Sequence, residues 1–163
     1  MLCAVTVLAT VGCGDASGPA PVSSKFDLAT YDGEPLPYVL NLEVSNPATP
    51  GGGPTVTCEN RLTAMRLELD GHDGYGASRT TLTVCDDGSP NRQGSSGETG
   101  TYVVHGDSVT MTSTTPATDG FTSVHRWYAT RSGSELRVYR QEAEVGGFGT
   151  TISMQALVFV KAP

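Results

Sequence analysis

From Lys25 onward, short runs rich in Val, Thr, Leu and Tyr alternate with Gly, Asp, Ser and Asn punctuation, the signature of many short antiparallel strands. Successive side chains of a strand point to opposite faces, so a correct hairpin register must gather apolar residues of both strands on one face. In LTAMRLELDGHDGYGASRTTLTVC, a turn through Asp70-Gly71-His72-Asp73 gives pairs whose numbers sum to 143. Met65, Leu67 and Leu69 then share a face with Leu82 and Val84, and Cys58 falls opposite Cys85 on the other face. A directly opposed pair lies within the Cα separation a disulfide tolerates.

In GTYVVHGDSVTMTS, a two-residue turn at Gly106-Asp107 sets Tyr102 against Met111 and Val104 against Val109. In VHRWYATRSGSELRVYRQ, a turn at Ser132-Gly133 sets Trp127 against Val138, Ala129 against Leu136 and His125 against Arg140. Upstream, KFDLATYDG and LPYVLNLEVS read as two strands, the second with Tyr38, Leu40, Leu42 and Val44 on one face. The final strand, TTISMQALVFVK, aligns Ile152, Met154, Ala156, Val158 and Val160, with Leu157 and Phe159 on the other side. The tally is about nine candidate strands. One apolar face per strand in a meander of hairpins closes either as a barrel or as a sandwich. Short consecutive connections favour an all-β, up-and-down antiparallel barrel of about eight strands, which also removes exposed edges.

Residues 1–12, MLCAVTVLATVG, form an uncharged apolar run too short to span a bilayer as a helix and of the length of a secretory signal's apolar region. The segment VLATVGCGD resembles a bacterial lipobox, with Gly12 as the small residue before cleavage and Cys13 as the lipid-modified first mature residue. A buried N-terminal strand and an ordinary cleaved signal are the competing readings of the same run. Residues 13–24 continue as CGDASGPAPVSS, with little to bury, and read as a flexible tether. In lipoproteins an Asp after the lipidated Cys often marks retention at the inner membrane; Gly14 stands there, so the resemblance implies the outer membrane, facing the periplasm. The expected organisation is signal peptide 1–12, lipidated Cys and tether 13–24, and barrel domain 25–163.

Of the four Cys, Cys3 leaves with the signal and Cys13 carries lipid. Cys58 and Cys85 remain, and an exported domain is expected to oxidise such a pair. The balance of 10 Lys+Arg against 17 Asp+Glu, a net charge of −7, argues against nucleic acid as a partner. No CxxC or HxxxH offers a zinc site, and His72, His105 and His125 are scattered. The DGHDG stretch lacks the alternating ligands and closing Glu of a calcium loop. No GxSxG, phosphate loop or HExxH is present, and the acidic pairs fall in turns, where Asp caps its own backbone. The expectation is a non-enzymatic protein with no cofactor and no metal.

The lipobox and tether, followed by LATYDGEPLPYVL, GTYVVHGDSVTM and SGSELRVYR, make the chain from Ser24 to Lys161 resemble bacterial lipocalin-like lipoproteins. The resemblance implies a small, exported, membrane-tethered antiparallel barrel and implies no reaction. An apolar cavity with a few convergent polar groups is the general form of a small-ligand site. The candidates for it are Trp127 and Met111 as apolar lining with Val138, and His125 and Arg140 as a polar pair near one mouth, Arg140 suiting a carboxylate head group. The competing reading makes Trp127 simple barrel filling, with His125 and Arg140 in solvent at the rim. The expected function is therefore binding of a small, partly apolar ligand by a lipid-anchored envelope protein. The alternative is a protein-interaction module, a hydrolase inhibitor or envelope-stress sensor, acting through loops 46–54 and 86–98.

Overall fold

A computed structural model describes residues 23–45, 55–116, 122–146 and 149–163. The expected signal, Cys13, most of the tether and loop 46–54 lie outside the described residues. Ten strands are formed: β1 (Ser23–Tyr31), β2 (Glu34–Pro35), β3 (Tyr38–Ser45), β4 (Val56–Asp70), β5 (Gly74–Cys85), β6 (Arg92–His105), β7 (Ser108–Pro116), β8 (Thr122–Ser132), β9 (Glu135–Gly146) and β10 (Gly149–Lys161). No helix occurs among the described residues. Strands β4 to β10 form an antiparallel meander, and β1 closes it by bonding both β10 and β4. The result is a closed eight-stranded barrel with β2 and β3 as additions at its seam.

The seam is divided along its length. Ser23–Asp27 of β1 pairs with Arg66–Asp70 of β4, and Phe26–Tyr31 pairs with Leu157–Lys161 of β10. Strand β4, at 15 residues, is far longer than its contact with β1. Its first half would be an open edge, and β3 covers it by pairing with Val56–Leu62. On the outside of the seam, Arg66 forks onto the Asp27 carboxylate with contacts of 2.7 and 3.1 Å.

One end of the barrel carries the tight hairpin turns. Asp70 caps the first, its Oδ1 accepting from the amides of His72 (2.8 Å) and Gly74 (3.0 Å), which holds its carboxyl below the usual carboxylate range. The two-residue turns Gly106-Asp107 and Gly133-Ser134 each have positive φ at their first position, 61° and 60°, the backbone that glycine adopts without a steric penalty. This requirement corrects the third hairpin. Glycine takes the first turn position rather than the second, so Trp127 faces Arg140, and Ala129 faces Val138. The shift is two residues, an even number, so every side chain keeps its expected face. The second hairpin has the expected register, with Tyr102 against Met111 and Val104 against Val109.

Cys58 and Cys85 are directly opposed and bonded, with Cα atoms 4.0 Å apart. Their face is not the expected one. Beside the turn, Leu69 faces Tyr75 and Met65 faces Arg79, one residue off the expected register, and a bulge at Thr63 restores the expected pairing from Leu62 to Cys58. A one-residue slip exchanges the faces of everything beyond it. Cys58, Asn60 and Leu62 therefore share the inward phase with Met65, Leu67 and Leu69, and the bridge lies on the pleat facing the barrel's axis. Leu82 and Val84, opposite Arg61 and Glu59, turn outward instead. A second bulge at Leu40 in β3 sends Leu42 and Val44 outward, 61% and 64% exposed. In β10, Leu157 and Phe159 are the buried face, while Met154 and Val160 are exposed. The bulkier side chains fill the interior, and the face that aligns Met154 with Val160 is the outer one; the Ile152 side chain lies outside the described residues. Arg92–Glu98, expected as loop, is the first half of β6 and pairs with Ala77–Thr83.

The interior near the turn end is an apolar plug. Trp127, Phe159, Leu67, Met111 and Leu136 are each fully buried there. Packing of this kind makes the lower barrel a solid core.

Candidate ligand site at the open end of the barrel

The inward phase of each strand changes character halfway along. Following β5 from its turn, Tyr75 and Ala77 are buried, and Arg79 comes next on the same face. On β6 the same phase carries Tyr102 near the turn end and Glu98, then Ser96, farther up. On β8 it runs from Ala129 through Trp127 to His125, and on β9 from Leu136 through Val138 to Arg140. Apolar residues thus give way to a polar ring at the level of Trp127. Alternation alone brings the ring together, because each member lies an even number of residues from a core residue.

Glu98 is the hub of this ring. Its Oε1 accepts the Tyr75 phenol hydroxyl at 2.8 Å, and its Oε2 lies 3.4 Å from His125 Nδ1 and 3.7 Å from an Arg140 terminal nitrogen. The Glu98 and Arg140 side chains are only 16% and 12% exposed. The Arg140 guanidinium also stacks over the Trp127 ring, 5.0 Å from its centroid, a favourable contact with the negative face of the ring. Burial, and then the hydrogen bond to the Glu98 carboxylate, push the Tyr75 phenol well above its ordinary value against the opposing effect of Ser113. Tyr75 is thus a neutral hydrogen-bond donor across the physiological range.

Above Trp127 lies a cavity of about 210 Å³, lined by Glu98, His125, Arg140, Arg79 and Ser96 with Met65 and Ala77 on its apolar side. Arg79 at its rim donates from Nε to Ser96 Oγ at 2.7 Å. A second space of about 380 Å³ opens between β3–β4 and β10, where no ladder joins the wall among the described residues. It is lined by Asn60, Leu62 and Gln155 and shares Met65, Arg79 and Arg140 with the first. Together they fall within the size range of small-ligand sites.

Of the residues singled out in the sequence, Trp127, His125 and Arg140 line this cavity. His125 and Arg140 meet through Glu98 and not as a cross-strand pair. Met111 and Val138 lie below, fully buried in the plug, Met111 opposite Trp127 and Val138 opposite Ala129. Glu98, Tyr75 and Arg79 were not anticipated. A sequence signal existed for Glu98, which sits four residues before Tyr102 on the inward phase of a hairpin whose register was legible. Arg79 was hidden by the first turn, which is one residue longer than expected and so brings Arg79 opposite Met65 on the inner face. No group of three or more His, Cys, Asp or Glu side chains able to hold a metal ion occurs among the described residues. No protein-family description, curated protein or solved structure matches the chain.

Proposed function

We propose that this protein is a non-enzymatic, exported, lipid-anchored member of the cell envelope, whose lipocalin-like barrel binds a small, partly apolar ligand at its open end. The observation that carries the reading is the cavity floored by the Trp127–Arg140 stack, apolar on the Met65 and Ala77 side and polar elsewhere. A barrel that needed only stability would continue its apolar filling. Here the Arg140 guanidinium and the Glu98 carboxylate, 12% and 16% exposed, occupy the interior instead, at a desolvation cost that a purely structural role does not require, with His125 and Arg79 nearer the rim. The Cys58–Cys85 bridge suits an oxidising compartment such as the periplasm, and the lipobox-like segment ending in Cys13 supports anchorage at the outer membrane.

Two measurements test the reading. Trp127 is the only Trp in the chain, so its fluorescence reports the cavity floor without interference. Saturable change on titration with medium-chain fatty acids or aromatic acids supports a ligand site, and no change at millimolar ligand removes it. Separately, Cys13→Ser should move the protein from the membrane to the soluble envelope fraction; unchanged fractionation removes the anchor.

The interaction-module reading is favoured by one observation, the edge strand β3 with Val39, Leu42 and Val44 exposed on its outer side. Recovery of a near-stoichiometric envelope protein by the wild type, lost on Leu42→Lys with Val44→Lys, would select it over ligand binding.

A further inference from the structure

Resting on the proposed ligand site, we infer that its ligand is a monocarboxylate, its carboxylate held between Arg79 and Arg140 and its body against Met65 and Ala77. The ionisable side chains lining the cavity are Arg79, Arg140, Glu98 and His125. Two guanidiniums face one carboxylate, so cationic groups outnumber anionic ones in the pocket. That local sign is opposite to the chain's net charge of −7. A cationic pocket inside an acidic protein selects an anion by its field as well as by contact. The guanidinium fork matches a carboxylate, and stacking on Trp127 fixes the plane of the Arg140 fork in advance.

Glu98 already satisfies part of this demand. Its Oε2 lies 3.7 Å from Arg140 and 3.4 Å from His125, longer than a close charge-assisted hydrogen bond. Glu98 acts as a resident counter-ion that compensates the buried guanidinium. An incoming carboxylate takes over the cavity side of Arg140 and engages Arg79 at the rim. Glu98 keeps its hydrogen bond from Tyr75, which lies on its other oxygen. The same carboxylate opposes a second anion in the pocket, so its charge tunes the affinity downward.

The test uses the full-length protein and three probes of one shape: phenylacetate, phenylacetamide and phenethylamine. Binding is followed by Trp127 fluorescence and by calorimetry. Phenylacetate is expected to bind at least about tenfold more tightly than phenylacetamide, with phenethylamine weakest. Arg79→Gln and Arg140→Gln should each weaken phenylacetate about tenfold and leave the amide unchanged. Glu98→Gln keeps an acceptor for the Tyr75 hydroxyl and removes the competing charge, so it should tighten phenylacetate about tenfold. Amide binding as tight as phenylacetate, or Glu98→Gln affinity that is unchanged or weaker, overturns the inference and leaves the ligand site standing. Failure of all three probes at millimolar concentration overturns both.

Discussion

Replacing Cys58 and Cys85 together with Ala should weaken the barrel by an amount that follows from the length of the loop they close. The two residues are 27 apart in sequence. A bridge of that span restricts the unfolded chain by about 3.5 kcal/mol at room temperature in the chain-entropy account. The folded state should change little, because the cysteines sit at the far end of a ladder that continues without them from Glu59–Val84 to Leu69–Tyr75. Urea unfolding followed by Trp127 fluorescence is the assay. The double variant should lose about 3.5 kcal/mol, show a larger denaturant slope because its unfolded chain is less compact, and melt about 10 °C lower. Its native emission should match the wild type. Two results would refute the reasoning. A loss below about 1 kcal/mol would mean that the Cys end opens independently of the barrel, so that the bridge does not restrain global unfolding. A shifted native emission would mean that the bridge shapes the cavity and acts on the folded state.

Other perturbations give distinct signatures. Gly100→Ala places a β-carbon against the Thr112 carbonyl, within 2.6 Å of the Tyr75 ring and 2.9 Å of Ser113 Cα, and should cost about 3 kcal/mol in urea midpoint analysis. Tyr75→Phe removes a charge-assisted hydrogen bond to Glu98 while keeping the ring, and should cost about 1.5 kcal/mol; wild-type stability would contradict the bond's role. Burial raises the Tyr75 and Tyr102 phenols above 10.0, so the unfolded chain loses those protons first, and stability should decline above that pH and decline less in Tyr75→Phe. On the acid side, Asp27 is held below 3.8 chiefly by its hydrogen bond with Arg66, Asp70 by the His72 amide and Asp87 by Ser89. The unfolded chain takes up those protons first, so the stability they lend is present above about pH 4 and is lost as the pH falls further, measurable as a falling urea midpoint.

Architecture was legible in this chain wherever the apolar alternation ran unbroken. The Tyr102–Met111 hairpin followed directly from period-two patterning and a turn, whereas the Cys58–Cys85 pairing came out as expected because the Thr63 bulge offsets a one-residue difference at the first turn. The misreadings arose from features that a strict period cannot represent. Leu62 and Met65, three residues apart in a strand otherwise spaced by two, were the visible trace of the Thr63 bulge. No comparable trace marks the bulge at Leu40, since Tyr38, Leu40, Leu42 and Val44 alternate without a break. In β10 both faces are apolar, and only side-chain bulk tells Leu157 and Phe159 apart from their neighbours. For Arg92–Glu98, backbone pairing built a strand from Gly and Ser residues that carry no hydrophobic signal. The candidate site divides in the same way. Trp127, His125 and Arg140 were found because parity survived the error in the turn. Glu98 and Arg79 were missed because one lay in presumed loop and the other on a strand whose turn is one residue longer than the pattern suggested.

Both ends of the described chain lie at the plugged end. Ser23 pairs with Asp70 beside the first hairpin turn, and the Ala162 amide donates to the Lys25 carbonyl at 2.9 Å. Handles attached at either place would sit on the side opposite the opening. The protein could therefore be immobilised on a sensor chip, or displayed on a particle, through one end or the other, with its aperture turned toward the surrounding fluid.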